Sequence, residues 1–154
     1  MREGLDPLAT TGSLKAGGRF NPPNEFGALY ASLDADTAVQ EVARGLRTRG
    51  IDPQQFPDGT WWVYELDVEL ESVLDLTVAD ALKKGGISAN SLTGRDVSGT
   101  RRMAADARER GYEALLVPSA AAPGSKNLVI FLDRALARPL VRSSKSVSLA
   151  EKTV

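Results

Sequence analysis

Apolar residues come along this chain in short bursts separated by glycine, proline and polar stretches, and the spacing inside each burst predicts its element. Residues 28–32 form a compact apolar run that reads as a buried strand. Asp34 then stands where it can cap a helix whose apolar stripe is Ala38, Val39, Val42, Ala43 and Leu46, with Gly50 near its end. Residues 61–70 carry the longest β pattern, in which Trp62, Tyr64, Leu66 and Val68 alternate with Val63, Glu65, Asp67 and Glu69. A shorter strand is predicted over 73–76 and a short helix over 79–84, ended by Gly85 and Gly86. Residues 100–110 read as a helix with Met103, Ala104 and Ala107 inward and Gly111 closing it. Buried strands over 114–117 and 127–132 flank a small-residue loop. Residues 136–141 suit an edge strand, where Pro139 is tolerated.

Residues 1–26 lack periodicity and read as an arm and a structured loop without regular elements. Residues 87–99 are polar and irregular. From 143 onward the chain is polar and serine-rich, which predicts a loose tail. The expected organisation is an arm over 1–16, a single domain over 17–142 and a tail over 143–154, with no repeat and no internal boundary. Strands outnumber helices and the helices are scattered among them. That predicts an α+β fold with a mixed sheet or two small sheets, and no long run of βαβ units.

Composition narrows the chemistry more than the fold. The 154 residues contain no cysteine and no histidine. Disulfides, thiolate nucleophiles and most structural zinc sites are thereby excluded, as is any Ser-His-Asp or Cys-His mechanism. Carboxylates, hydroxyls and arginines must carry any catalysis. A net charge of −1 argues against holding nucleic acid by bulk electrostatics. There is no apolar run of about 18 residues to span a membrane. The first residues lack a signal-peptide pattern, so a cytoplasmic location is the default expectation. Neither a dinucleotide-fold glycine motif nor a P-loop is present. The carboxylates within 67–71 alternate along a strand and read as its solvent face.

Several residues are odd choices for ordinary packing. Arg19 follows Gly17 and Gly18 in a turn, where it is either a surface arginine or an anion clamp, since a guanidinium fork suits phosphate and glycines let a diphosphate approach the backbone. Tyr30 lies in an apolar strand, as a core tyrosine or as a platform for a flat ring. Glu41 falls at the edge of its helix's buried face, either solvated or turned into a cleft to bond a sugar hydroxyl. Ser119 follows an apolar strand and a proline; it satisfies its own turn or joins a site, and without histidine a triad-type nucleophile is unsuited. Asn127 opens the next strand and either positions a neighbour or caps a turn. Arg95, Arg101, Arg102, Arg108 and Arg110 cluster about one helix, interleaved with Asp96, Asp106 and Glu109, which suits a solvated or protein-docking face better than nucleic acid.

Taken in order, these pieces form a set: Gly18-Arg19-Phe20-Asn21-Pro22, Gly27-Ala28-Leu29-Tyr30, Thr37-Ala38-Val39-Gln40-Glu41-Val42, Val73-Leu74-Asp75-Leu76, then Gly111-Tyr112-Glu113-Ala114 running on to Pro118-Ser119-Ala120, and Asn127 to Phe131. The set resembles the RES-domain family over residues 17–133. The family is named for an arginine, a glutamate and a serine, matched here by Arg19, Glu41 and Ser119; Tyr30 matches its active-site tyrosine. One departure is the upstream strand with a Tyr-Arg signature found in many relatives, which residues 1–14 do not show.

The resemblance implies an ADP-ribosyltransferase-like mixed sheet with NAD+ as substrate in a cleft and no metal. It further implies a toxin of a toxin–antitoxin module, partnered by an Xre-like helix-turn-helix antitoxin. The implied activity is cleavage of the nicotinamide–ribose bond, with phosphate, water or a protein as acceptor. Arg19 would bind the diphosphate and Tyr30 would pack on nicotinamide or its ribose. Glu41 would stabilise the oxocarbenium-like species, and Ser119 would orient substrate or Arg19. Asn127 joins Arg19 and Tyr30 as an expected NAD+-binding residue. The alternative is a catalytically silent RES-fold module that binds a partner protein. No direct contact with nucleic acid or membrane is expected.

Overall fold

The computed structural model describes Met1 and residues 5–149. In chain order the elements are α1 (Thr11–Ala16), β1 (Leu29–Ser32), α2 (Ala35–Thr48), β2 (Trp61–Asp67), β3 (Val73–Asp75), α3 (Ala79–Gly85), α4 (Ser98–Glu109), β4 (Ala114–Pro118), β5 (Lys126–Ile130) and β6 (Leu140–Val147). They form a four-stranded sheet in the order β1-β5-β4-β3 and a separate β2-β6 pair. The first sheet is mixed: β3 runs parallel to β4, and the other pairings are antiparallel. This is the α+β class that the scattered short elements predict.

The apolar runs of β4 and β5 follow from their central position, because both faces are covered. Leu115, Val117 and Val129 meet Met103, Ala104 and Ala107 of α4 on one face. Ala114, Leu128 and Ile130 pack with Leu29 and Leu8 on the other. The α2 stripe takes a different partner. Val39 and Leu46 pack with Leu149 and against Trp61, Val63 and Val147 of the β2-β6 pair. Asp34 caps α2 as its position predicts, accepting the Thr37 backbone N–H at 2.8 Å.

Three expectations are corrected. The segment 1–26 contains α1, a helix of six residues with no buried side chain, too short to impose a period. The Ser13 hydroxyl anchors it by accepting the Ala28 N–H at 2.9 Å and donating to the Ala28 carbonyl at 2.8 Å. The second correction concerns the last strand, which is Leu140–Val147 rather than 136–141, so Pro139 precedes it and is buried. Third, residues 143–147, expected to be loose, pair with β2 from Glu65 back to Trp61. Nearly all of β6 is exposed, so it has little apolar alternation to reveal it; the β2 edge supplies the pattern. Residues 2–4 and 150–154 lie outside the described residues.

Glu113 at the start of β4 is a buried carboxylate, 2% exposed. Its Oε1 accepts the backbone N–H groups of Glu71 and Ser72 at 2.8 and 2.9 Å, and its Oε2 accepts that of Leu136 at 2.9 Å. The side chain therefore ties the entry to β3 and the chain beyond β5 to the central strand. The Leu136 bond first, then those of Ser72 and Glu71, hold its carboxyl below the ordinary glutamate value. A carboxyl depressed in the folded state stabilises fully above its unfolded value and loses that contribution as pH falls through the folded one. Glu113→Gln is therefore expected to lower the urea midpoint at neutral pH, because an amide cannot accept from all three donors. It should also flatten part of the stability loss seen as pH falls below about 4.5; unfolding curves of both proteins from pH 7 to pH 3 provide the check.

Candidate active site

The glycine-rich turn is built around the Tyr30 hydroxyl. That hydroxyl accepts the Phe20 backbone N–H at 3.0 Å and donates to Asn21 Oδ1 at 2.7 Å. Asn21 is wholly buried, and its Nδ2 donates to the carbonyls of Ser13 and Phe26. The turn closes on itself through Gly18 and Asn21. A Cβ on Gly18 would lie 2.3 Å from the Tyr30 oxygen, so glycine is required there by proximity. From the other side α4 holds the turn: the Thr100 hydroxyl donates to the Arg19 carbonyl at 2.7 Å and Arg101 Nε to the Gly18 carbonyl at 2.8 Å. Tyr30 keeps 41% of its surface exposed while its polar end is covered, and desolvation pushes its pKa up to about 12. At neutral pH the hydroxyl is a hydrogen-bond donor, never a phenolate.

The second construction is centred on Glu41. Its Oε1 accepts from the Ser119 hydroxyl at 2.6 Å, from Asn127 Nδ2 at 3.0 Å and, more weakly, from the Ala121 N–H at 3.4 Å. Ser119 is buried, and its oxygen also accepts the N–H groups of Ala121 and Ala122 at 3.2 and 3.0 Å. Asn127 is oriented in turn by the Ser32 hydroxyl, which donates to its Oδ1 at 2.7 Å. Ser32 and Asn127 are direct partners across β1 and β5, and Tyr30 lies two residues from Ser32 on the same sheet face. One oxygen of the carboxylate is thus pinned by α2's neighbours, while Oε2 carries no hydrogen bond among the described residues.

Tyr30, Ser32, Glu41 and Asn127 line a cavity of about 1070 Å³ between β1, α2 and the β2-β6 pair, with Trp61, Trp62 and Tyr64 on the opposite side. Its size suits a ligand as large as a dinucleotide. Arg19 and Ser119 are not among its lining residues. The half-buried Arg19 donates through Nη1 to the Gly94 carbonyl, which joins the turn to the 86–99 loop. Burial, and next the positive charge of Arg44, lower the proton affinity of Arg19, while Glu41 and Tyr30 act in the opposite sense. Arginine remains charged through such a shift.

The sequence-derived residues therefore fall into two linked groups: Glu41, Ser119 and Asn127 are in direct contact, and Arg19 and Tyr30 share the glycine turn. Ser119 bonds to Glu41, not to Arg19. Asn127 acts on Glu41, the neighbour-positioning alternative of its two readings. Asn21, Ser32, Ser13, Thr100 and Arg44 were not singled out by sequence. Ser32 and Asn21 become visible as partners only when the β1–β5 register and the closed turn are known. Of the basic cluster, Arg101 supports the turn, and Arg108 and Arg110 pair with Asp133 and Asp106.

Tyr30→Phe would leave Asn21 Oδ1 and the Phe20 N–H without a partner in a buried place, at a cost of about 1–3 kcal/mol. A tyrosine pKa raised on folding stabilises at pH values below the unfolded one, near 10, and that contribution is lost as pH rises toward about 12. Tyr30→Phe should thus lower the thermal midpoint at pH 7 and also weaken the alkaline loss of stability between these values, as followed by circular dichroism.

Residues 3–149 match the RES domain. The chain is 29% identical over 119 residues to the NAD(+) phosphorylase MbcT of Mycobacterium tuberculosis and of Mycobacterium bovis, a stretch that covers 77% of this chain and 64% of those proteins. It is 33% identical over 115 residues to a probable NAD(+) phosphorylase of Mycobacterium tuberculosis, covering 75% of this chain and 53% of that relative. The chain thus spans just under two thirds, or about half, of the curated relatives it matches. The crystal structure of the Mycobacterium tuberculosis MbcT–MbcA toxin–antitoxin complex contains a chain that superposes with a TM-score of 0.85 at 25% identity, over 99% of this chain and 83% of that one. With the fold and nearly the whole described length in agreement, the chain belongs to the RES-domain family.

Proposed function

We propose that this RES domain cleaves the nicotinamide–ribose bond of NAD+, passes ADP-ribose to inorganic phosphate, and serves as the toxin of a toxin–antitoxin pair. The observation that carries the reading is the Glu41 carboxylate, fixed through Oε1 by three donors with Oε2 left to accept from a substrate hydroxyl, on the wall of a large cleft beside Tyr30. The names of the relatives support phosphate as the acceptor, and the antitoxin bound to the MbcT chain supports an antitoxin partner. An antitoxin of the Xre-like helix-turn-helix kind belongs to the same proposal.

The chemistry suits a site without histidine. The C1″–N1 bond breaks with its electron pair passing to the nicotinamide ring, which becomes neutral, so no acid is needed for departure. Positive charge develops on the ribose, where a fixed carboxylate stabilises it without having to reorganise. A phosphate oxygen then forms the new bond to C1″, giving ADP-ribose 1″-phosphate. Arg19 supplies a fixed cation for the phosphoryl groups of NAD+. Tyr30 offers its exposed ring for packing, while its hydroxyl is already committed to the turn. Ser119 and Asn127 keep Glu41 in one rotamer and do not attack the substrate.

The test is incubation of the purified protein with NAD+, with and without phosphate, followed by separation of products. Equal amounts of nicotinamide and ADP-ribose 1″-phosphate are expected; no nicotinamide under either condition would refute the reading. Free ADP-ribose, or a labelled protein, would redirect it to water or a protein acceptor. Glu41→Gln should reduce turnover by about 10²–10³-fold with the fold retained. Ser119→Ala should cause a smaller loss, because Asn127 still holds the carboxylate.

A further inference from the structure

The peptide group between Arg19 and Phe20 is held at both ends by hydroxyls that come from different elements. Its carbonyl accepts from Thr100 of α4 at 2.7 Å, and its N–H donates to the Tyr30 oxygen of β1 at 3.0 Å. Thr100 is wholly buried, and its one proton has two acceptors in reach: the Arg19 carbonyl, and the Val97 carbonyl at the start of α4 at 3.0 Å. The Val97 carbonyl already receives the Arg101 N–H at 2.9 Å, whereas the Arg19 carbonyl has no second donor among the described residues. The proton therefore belongs to Arg19. Beyond the peptide the donors continue in one sense. The Tyr30 hydroxyl donates to Asn21 Oδ1 at 2.7 Å, and Asn21 Nδ2 donates to the carbonyls of Ser13 and Phe26. The Thr100 and Tyr30 side chains share no hydrogen bond of their own among the described residues, so the peptide is what links them.

Hydrogen bonds aligned head to tail polarise one another, so loss of the first donor weakens the rest. Rotation of the freed peptide would move Arg19 on one side and take the Phe20 N–H from the Tyr30 oxygen on the other. We propose that Thr100 is a positioning residue for NAD+ binding, acting on Arg19 and Tyr30 together through the Arg19–Phe20 peptide. The proposal rests on the reading of the cleft as an NAD+ site, and it gives Thr100 no contact with substrate. Glu41 stands outside this chain of bonds, since Ser119 and Asn127 hold it separately. Binding should therefore suffer more than the chemical step.

Thr100→Val keeps the shape and removes the proton. Its KM for NAD+ should rise about ten-fold, as for a hydrogen bond lost in a buried place, with kcat changed far less. Thr100→Ser keeps the hydroxyl and should bring KM back to within about two-fold of wild type; Thr100→Ala takes the place of the valine variant should that one not fold. Glu113→Gln, expected to lower stability through partners outside the turn, should leave KM unchanged, which separates positioning from general loosening. The decisive measurement is a double-mutant cycle with Tyr30→Phe, read in KM and in the unfolding constant from urea titration. Acting through one chain of bonds, the two substitutions together should fall short of the product of their single fold-changes by about three-fold or more. Fold-changes that multiply, a serine variant as impaired as the valine one, or a KM for Thr100→Val within about two-fold of wild type with Glu41→Gln inactive, would each overturn the proposal and leave the reaction standing. Should the wild-type protein not cleave NAD+, the unfolding constants decide alone whether Thr100 positions Tyr30. A double variant short of the product supports the coupling, and one that matches the product overturns it.

Discussion

The whole site depends on how many donors converge on one oxygen. Glu41 Oε1 receives hydrogen from the end of β4, from the loop that follows it and from the start of β5. A carboxylate on α2 is thereby locked to the central sheet although α2 packs mainly on the separate β2-β6 pair. The contact is a polar fastening between the two halves of the fold, and it holds the carboxylate to which the proposed reaction assigns the catalytic role. Three donors to one partly buried oxygen make its desolvation tolerable. Ser119 and Asn127 are themselves oriented, by the Ala121 and Ala122 amides and by Ser32, so the carboxylate has little freedom left.

The Tyr30 construction follows the same logic with neutral groups. A hydroxyl, a buried amide and three backbone groups satisfy one another beneath a turn that α4 clamps from above. Each member would be costly to bury alone, and together they fix the position of Arg19. Gly18 is the steric condition for this network, because any side chain would displace the tyrosine oxygen around which it is organised.

Much of the fold could be read from the chain because its elements are locally consistent. The cap at Asp34, the α2 stripe and the inward residues of α4 each follow from period and turn chemistry. β6 could not be read, since its exposed polar residues become a strand only through pairing with β2. α1 was hidden by being too short to show a period. At the site the difference is of another kind. Arg19, Tyr30, Glu41, Ser119 and Asn127 stood out through an ordered family pattern, which says nothing about who touches whom. That Ser119 and Asn127 serve the carboxylate depends on register between strands distant in sequence, and the partners Ser32 and Asn21 depend on the same geometry.

The separation of these contacts along the chain governs when the site can exist. Glu41 meets Ser119 and Asn127 across 78 and 86 residues, and β1 reaches its sheet only through β5. Such non-local contacts form late, after the loop-closure cost has been met. During synthesis a ribosome-bound chain that has not yet released β5 has neither the strand beside Tyr30 nor the full set of donors for Glu41. For a protein with the proposed activity, the fold itself delays that activity until the last strand of the central sheet is in place.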